Sequence, residues 1–298
     1  MPKIHIEMRW QMKILIEQST KNTDLSKYTD GLILSLKNYS SQSYLTYTFE
    51  EIEQIIKDNP DKEIFINLNK NFFNDEIESL KEILLKIDKL NVKGIFFYDL
   101  AILQLKKECN LKTDLIWSQT YMVNNYKTCN YYHSKGVKYA LLSKEITLEE
   151  IKEIITKSKI EAMVETVSMP SVAFSKRKLL TNYYHNLNKE AKKNLVVTEK
   201  ATNEEYQVLE DETGTNFFLN KITNATSIIK ELYSCNCPYI ILREYGIDHE
   251  LFKELLIDTQ KYIESKCQDE EYINKYESLN DFTNFFFKKT IYQVKKNG

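Results

Sequence analysis

Only three arginines, Arg9, Arg177 and Arg243, stand among the 41 lysines and arginines of this chain. Where positive charge is otherwise carried on lysine, a planar guanidinium offers something an ammonium cannot: two parallel hydrogen bonds to one carboxylate or phosphate. Arg177 lies in Ser175-Lys176-Arg177-Lys178, directly after the apolar Val172-Ala173-Phe174, and Arg243 ends the apolar run Tyr239-Ile240-Ile241-Leu242. Both are candidate anion-binding residues; arginines placed on the surface without function are the alternative. The basic run leads on to Tyr183 and Tyr184 and then to Lys189, Lys192 and Lys193. Basic residues interleaved with aromatics can follow an RNA backbone while the tyrosines stack on bases, although a solvated helix face fits the same residues.

Hydrolytic chemistry would need an activated nucleophile beside a base, or a metal ligand set with an open position. The four histidines, His5, His133, His185 and His249, form no HExxH pair. His185 could polarise a serine or a water, or lie exposed on a helix. Cys129 and His133, four residues apart, share a helix face that reads as core. Cys235 and Cys237 form a lone Cys-x-Cys that reads as buried thiols. Six glycines, none in a GxGxxG or GxxxxGK[ST] pattern, argue against a loop that cradles nucleotide phosphates.

The elements that must position these residues alternate. KILIEQ, GLILSL, EIFINLN, GIFFYDL, DLIWSQ, KYALLSKE, EAMVETV and YIILREYG read as strands. FEEIEQIIKD, DEIESLKEILLKIDKLN, AILQLKKEC, TLEEIKEIITKS and HELFKELLIDTQKYIES carry apolar residues at helical spacing, and Thr147 with Glu150 reads as a capping box. Strands alternating with helices predict a parallel sheet with crossovers. Eight such units predict an α/β fold closed as a (β/α)8-like, TIM-type barrel. The regularity breaks after Ser175, where LVVTEKATNEEYQVLEDETGTNFFLN predicts a β-hairpin or small subdomain, residues 193–222, inserted before the last strand. Residues 12–265 form the barrel domain with this insertion, 1–11 an N-terminal extension, and 266–298 a segment packing on the barrel through the aromatic run Phe285-Phe286-Phe287. Met12 could equally be the natural start.

In such a barrel the carboxyl ends of the strands converge on one face. Asn67, Asn69, Asp99, Gln119, Ser143, Glu145, Glu165, Arg243 and Glu244 are therefore candidates to line one pocket. Glu145, Asp99 and Gln119 are the catalytic candidates; Glu145 beside Lys144 could instead form a structural ion pair.

With 298 residues, 42% hydrophobic and 12% aromatic, the chain can bury a sizeable core. A net charge of −2 argues against a general electrostatic grip on nucleic acid and leaves room for a local one. No apolar run reaches the ~18 residues of a membrane span and no signal peptide is visible, which predicts a cytoplasmic protein with no membrane contact. Five scattered cysteines fit reduced thiols.

WSQTYMVNNY followed by GVKYALLSKEITLEEIKEI resembles the peptidase U32 family, in which a glycine-valine turn leads to a strand, an Arg/Lys-Glu pair and an acidic helix start. YQVLEDETGTNFFLN, YIILREYGIDHELFKELL and NFFFKKTIYQVKKNG are similar to later segments, so the resemblance runs from about Lys13 to the C-terminus. It implies a barrel. Family members include proteins described as proteases, hydroxylases of the tRNA wobble uridine or of ribosomal RNA, and partners in oxygen-independent quinone hydroxylation. The oxidative members hold an iron–sulfur cluster on four cysteines, the first in a Ser-Gly-Arg-Cys-Leu-Leu-Ser element. This chain has Ser175-Lys176-Arg177-Lys178-Leu179-Leu180-Thr181 there, and no cysteine between Cys129 and Cys235.

The expectation is a U32-family barrel protein that has lost the cluster and needs no cofactor. It would be a companion or divergent member in tRNA wobble-uridine hydroxylation, with Lys176, Arg177, Lys178, Tyr183 and Arg243 binding RNA or another anion. A collagenase-like peptidase is one alternative. The other is a non-catalytic scaffold for a cluster-bearing paralogue, so tRNA and such a paralogue are the expected partners.

Overall fold

A computed structural model describes residues 12–21, 23–268, 270–277 and 282–283. Each predicted strand forms. β1 (Lys13–Glu17) and β2 (Gly31–Ser35) are followed by α1 (Phe49–Asp58), β3 (Glu63–Leu68), α2 (Ile77–Ile87), β4 (Gly94–Phe97) and α3 (Leu100–Cys109). β5 (Asp114–Trp117), α4 (Tyr126–Ser134), β6 (Tyr139–Leu141), α5 (Leu148–Lys157) and β7 (Glu161–Ser168) continue the alternation. Helix boundaries follow local chemistry. Thr48 and Thr147 each accept a hydrogen bond from the backbone three residues on, and Glu51 and Glu150 reach back to the cap, so both helices open on a complete capping box.

The chain then leaves the barrel. β8 (Ser171–Ser175) leads to α6 (Leu179–Asn186), β9 (Asn194–Thr198), β10 (Glu205–Glu210) and β11 (Thr215–Leu219), and these four strands form a separate antiparallel sheet in the order β8-β11-β10-β9. The insertion thus begins at Ser171, earlier than the predicted residue 193, because β8 finds its partner in β11, some forty residues downstream. β12 (Ile222–Asn224) returns antiparallel to β7, and α7 (Ile229–Ser234) leads to β13 (Tyr239–Arg243), which is parallel to both β7 and β1 and closes the barrel of eight parallel strands. α8 (His249–Glu264) and α9 (Glu270–Glu277) follow, and β14 (Phe282–Thr283) pairs with β12. The expected extension 1–11 and the aromatic run at Phe285 lie outside the described residues. No helix among the described residues is long and apolar enough to cross a membrane.

Two apolar clusters divide the work. Side chains alternate along a strand, so residues two apart share a face. One face of each of the eight strands supplies Leu15, Ile33, Phe65, Phe96, Ile116, Tyr139, Met163, Tyr239 and Ile241, which plug the barrel interior. The other face, with Ile14, Ile16, Leu34, Ile66 and their like, packs against the helices in a much larger cluster. β2 is held so close to β3 that a Cβ on Gly31 would lie 2.3 Å from the Glu63 carbonyl oxygen, so only glycine fits there.

Candidate functional site

The plug sets the floor of the site. Two residues beyond Leu15, Ile33, Phe65, Ile116, Met163 and Ile241, the same inward faces present Glu17, Ser35, Asn67, Ser118, Glu165 and Arg243. Polar groups therefore gather above an apolar floor at the carboxyl ends of the strands, around a cavity of about 100 Å³.

Arg243 organises it. Its register partner at the end of β1 is Glu17, with which Nη1 forms an ion pair, and Nε donates to Glu165 Oε2 at 2.7 Å. Lys144 pairs with the other oxygen of Glu165 and donates to Ser168 Oγ at 3.0 Å. Ser35 donates to Glu17 Oε1 at 3.0 Å and accepts from Asn67 Nδ2 at 3.0 Å, and its oxygen lies 2.8 Å from Ser43 Oγ. A register shift in the β7–β13 ladder gives β7 an extra residue after Glu165. Such a bulge re-aims the strand end, here leaving Glu165 facing the cavity and Val167 in the outer core. Burial pulls the Arg243 pKa down to about 10, while the two carboxylates favour the cation, so the guanidinium stays charged at neutral pH.

Two cations and two carboxylates cancel. Arg243, expected to grip an anion, spends its Nε and Nη1 on carboxylates, which leaves chiefly Nη2 for any other acceptor. The cavity suits a neutral polar group, met by the amides of Gln42, Asn67 and Asn69 and by Lys144. Over it stand three aromatics: Tyr44 stacks on Tyr245 with ring centroids 3.8 Å apart, and Phe218 from the inserted sheet meets Tyr245 edge-on at 5.2 Å. The loop carrying Gln42 and Tyr44 is pinned from both sides. Ser41 N donates to Asn69 Oδ1 at 2.8 Å, and Gln42 N, in the left-handed region at φ 56°, donates to Asn216 Oδ1 at 3.0 Å.

The mouth continues as a cleft of about 250 Å³ between the barrel loops and β8, lined by Asn69, Asn71, Tyr98, Tyr121 and Phe174 among others. The basic run borders it. Lys176 donates to the Asn71 carbonyl at 2.7 Å and sits over the Phe73 ring, 3.4 Å from its centroid. Lys178 donates to the Asp211 carbonyl, and Arg177 is exposed. None of the three forms an ion pair among the described residues, although Lys176 lies near enough to Glu76 to help lower its pKa. Gly214 holds this run in place. At φ 149° its Cα lies so close to β8 that a Cβ would sit 2.1 Å from the Ser175 carbonyl oxygen. Tyr183, on α6, is 59% exposed and packs edge-on against Tyr184.

The remaining candidates have other tasks or stand apart. Asp99 caps α3, accepting from Ala101 N at 2.9 Å, and also accepts from Phe72 N at 2.9 Å. Gln119 accepts from Trp117 Nε1 at 3.0 Å and donates to the Tyr98 carbonyl at 2.6 Å, tying strand ends together. Glu244 is buried and turned to Ser19 N and His249 Nδ1, both at 2.6 Å. Ser143 binds loop backbone, donating from its N–H to the Val123 carbonyl. Glu145 is half-buried with no ion-pair partner among the described residues, and burial raises its pKa. His185 is exposed on α6, and Cys129 is core. Glu17, Ser35, Ser118 and Lys144 are the residues that reading strand ends passed over. For Glu17, Ser35 and Ser118 the signal was present in the alternation, a polar side chain two positions beyond the last inward apolar one; Lys144 breaks it, three positions beyond Leu141.

The cysteines lie away from the pockets at the mouth. All five are free; burial pushes Cys129 up to about 12 and Cys267 up to about 11, and raises Cys235 and Cys237. They sit on α4, near the end of α3, after α8, and before β13, and no group of three or more His, Cys, Asp or Glu able to hold a metal occurs among the described residues.

Comparison with known proteins gives a consistent set of relatives. The family model described as Peptidase family U32 matches residues 20–254. The chain is 26% identical over 249 residues to tRNA hydroxylation protein P2 of Bacillus subtilis, covering 77% of this chain and 81% of that protein. It is 31% identical over 163 residues to an uncharacterized protease of Methanocaldococcus jannaschii, covering 52% of this chain and 39% of that one. A U32 peptidase of known structure superposes with a TM-score of 0.48 at 13% identity, covering 78% of this chain and 93% of the other.

Proposed function

The chain belongs to peptidase family U32, and from that premise we propose that it is an RNA-binding companion or divergent member in hydroxylation of the tRNA wobble uridine, with no iron–sulfur cluster of its own. The observation that carries this reading is the unpaired basic run Lys176-Arg177-Lys178 on the lip of a polar, aromatic-lined cleft. Cations outside ion pairs supply the sequence-independent grip on phosphates, and the cleft leads to a neutral cavity that suits a base rather than a phosphate. The likeness to tRNA hydroxylation protein P2 over most of both chains supports the same substrate class.

The family's cluster does not fit the residues present. By the resemblance, Lys178 takes the place of its first ligand; its ammonium is hydrogen-bonded to the Asp211 carbonyl, and the thiols are dispersed over separate elements. No step is routed through a cluster here. If the reaction needs one, a cluster-bearing paralogue is the partner that supplies it, and this chain contributes RNA binding. The peptidase reading draws on the family name, yet the mouth offers paired charges rather than a nucleophile with a positioned base.

Mass spectrometry of tRNA nucleosides from a deletion strain tests the proposal. Hydroxylated wobble uridine should fall and be restored by the wild-type gene but poorly by Arg177→Ala. Unchanged nucleosides together with no tRNA binding by the purified protein would end this reading. Gelatin or casein turnover that co-elutes with the protein and disappears in Glu145→Ala would favour the peptidase instead.

A further inference from the structure

The two edges of the inserted sheet are built differently. β8 is irregular: its register with β11 shifts between Phe217 and Phe218. Bulges of this kind blunt an edge against further pairing. β9 pairs with β10 in unbroken register over all five residues, from Asn194 opposite Leu209 to Thr198 opposite Glu205. Its sequence, Asn-Leu-Val-Val-Thr, contains no proline and no charge, and Val196 is 47% exposed. A regular, uncharged, apolar edge strand is a template for another strand.

The hydrogen bonds define what that edge presents. Glu210 N donates to the Lys193 carbonyl and Glu199 N to the Glu204 carbonyl, both at 2.8 Å. In an antiparallel ladder the bonded residues alternate. Lys193, Leu195, Val197 and Glu199 therefore face β10, and the N–H and C=O groups of Asn194, Val196 and Thr198 point away from the sheet.

From this edge we infer that two copies of the chain associate through antiparallel β9–β9 pairing about a two-fold axis at Val196. In this register Val196 exchanges both backbone bonds with its symmetry mate, and Asn194 and Thr198 exchange theirs with each other across the axis. Leu195 lies opposite Val197, extending the half-buried apolar face of the sheet. Lys193 lies opposite Glu199 on both sides of the axis, and opposite charges facing across strands stabilise a pair. Both side chains are exposed, and Lys193 has no ion-pair partner among the described residues. The edge is thus complementary to itself in hydrogen bonding, apolar contact and charge, as an isologous interface requires. The result is one continuous eight-stranded sheet across the dimer. Paired strands alone bury less than a standard interface, so the dimer forms reversibly and depends on concentration.

Sedimentation of the full-length protein across a concentration series tests this. The wild type should pass from monomer to dimer. Val196→Pro, which removes an outward N–H and leaves the bonds of β9 to β10 in place, should give monomer at every concentration with an unchanged far-ultraviolet spectrum. Because that variant could disturb β9 itself, charge reversal provides an independent reading. Glu199→Lys should weaken the dimer at least tenfold, and the double variant Lys193→Glu/Glu199→Lys should restore it. A wild type that stays monomeric throughout, or a dimer indifferent to both the proline and the charge swap, would overturn the inference.

Discussion

Arg243 and Glu165 meet where the last strand of the barrel lies beside the seventh, Nε to Oε2 at 2.7 Å, on the two parallel strands β13 and β7. The same guanidinium holds Glu17 on β1. One side chain therefore ties three neighbouring strands together at their carboxyl ends, and barrel closure and the chemistry of the mouth depend on the same charges.

Arg243→Gln should leave Glu17 and Glu165 facing each other with only Lys144 to compensate. Removing one partner from a buried pair typically costs about 3–5 kcal/mol, and urea unfolding should show a loss of that order. Arg243→Gln combined with Glu165→Gln should recover a substantial part of it. A double variant no more stable than the single would mean that the carboxylates are compensated elsewhere.

Arg177 offers the opposite case, a cation with no carboxylate to satisfy. Arg177→Ala should weaken tRNA binding and lower the salt dependence of log Kd by about one phosphate contact, with the melting temperature unchanged. Arg177→Lys should weaken binding nearly as much, because the ammonium keeps the charge and loses the paired donors. A lysine variant that binds like wild type would reduce Arg177 to a point charge.

The eight strands were legible because each is a short apolar run bounded by charged or turn residues, and α5 because its threonine cap announces it. Alternation alone would also have found Glu17 and Ser35, since both follow an inward apolar residue by two. Asp99 and Gln119 show where such reasoning stops. They stand at strand ends like true mouth residues, but a carboxylate just before a helix is drawn to the free N–H groups there, and Gln119 is drawn to the Trp117 indole and a strand-end carbonyl. The start of the insertion at Ser171 was hidden for another reason. Ser-Val-Ala-Phe-Ser becomes an identifiable strand only through β11, a partner that no local pattern reveals.

Glu210 anchors the basic run from behind. It accepts from Leu180 N at 2.8 Å, from Thr181 and from Thr215 Oγ1 at 3.2 Å. Burial opposes its ionisation, but these hydrogen bonds outweigh it, so the pKa lies below its ordinary 4.5. A lowered carboxylate pKa stabilises the fold above the unfolded value and loses that contribution as pH falls through the folded one. Glu210→Gln should cost about 1–2 kcal/mol at neutral pH, and the gap from wild type should close as the pH drops below about 4.5. A gap independent of pH would assign the loss to packing.

Protein purified anaerobically should be colourless, with neither stoichiometric iron nor acid-labile sulfide, if Lys178 takes the place of the family's first thiolate as the resemblance implies. Lys178→Cys alone should not restore a cluster, because the other thiols lie on separate elements. A brown, air-sensitive preparation of the wild type would refute this and identify a ligand set that the present cysteine positions do not suggest.

Glu145 carries the last prediction because stability and function pull it in opposite directions. Its half-buried carboxylate lacks an ion-pair partner among the described residues, and burial raises its pKa above 4.5. A raised folded pKa means the folded state binds the proton more tightly than the unfolded chain, so ionisation above that pKa penalises the fold, and the penalty vanishes as pH falls below the unfolded value. Glu145→Gln should therefore raise the melting temperature at neutral pH, by roughly 1–2 °C for a chain of this size, and make no difference near pH 3. The charge also bears on Tyr121 at the cleft, whose pKa is raised by burial first and by Glu145 second. If a carboxylate retained at a cost to stability serves the reaction, the glutamine variant should be more stable yet fail to restore hydroxylated wobble uridine in a deletion strain. A variant that is more stable and fully restores the modification would remove Glu145 from the functional site, and one that is less stable would mean the carboxylate has a partner after all.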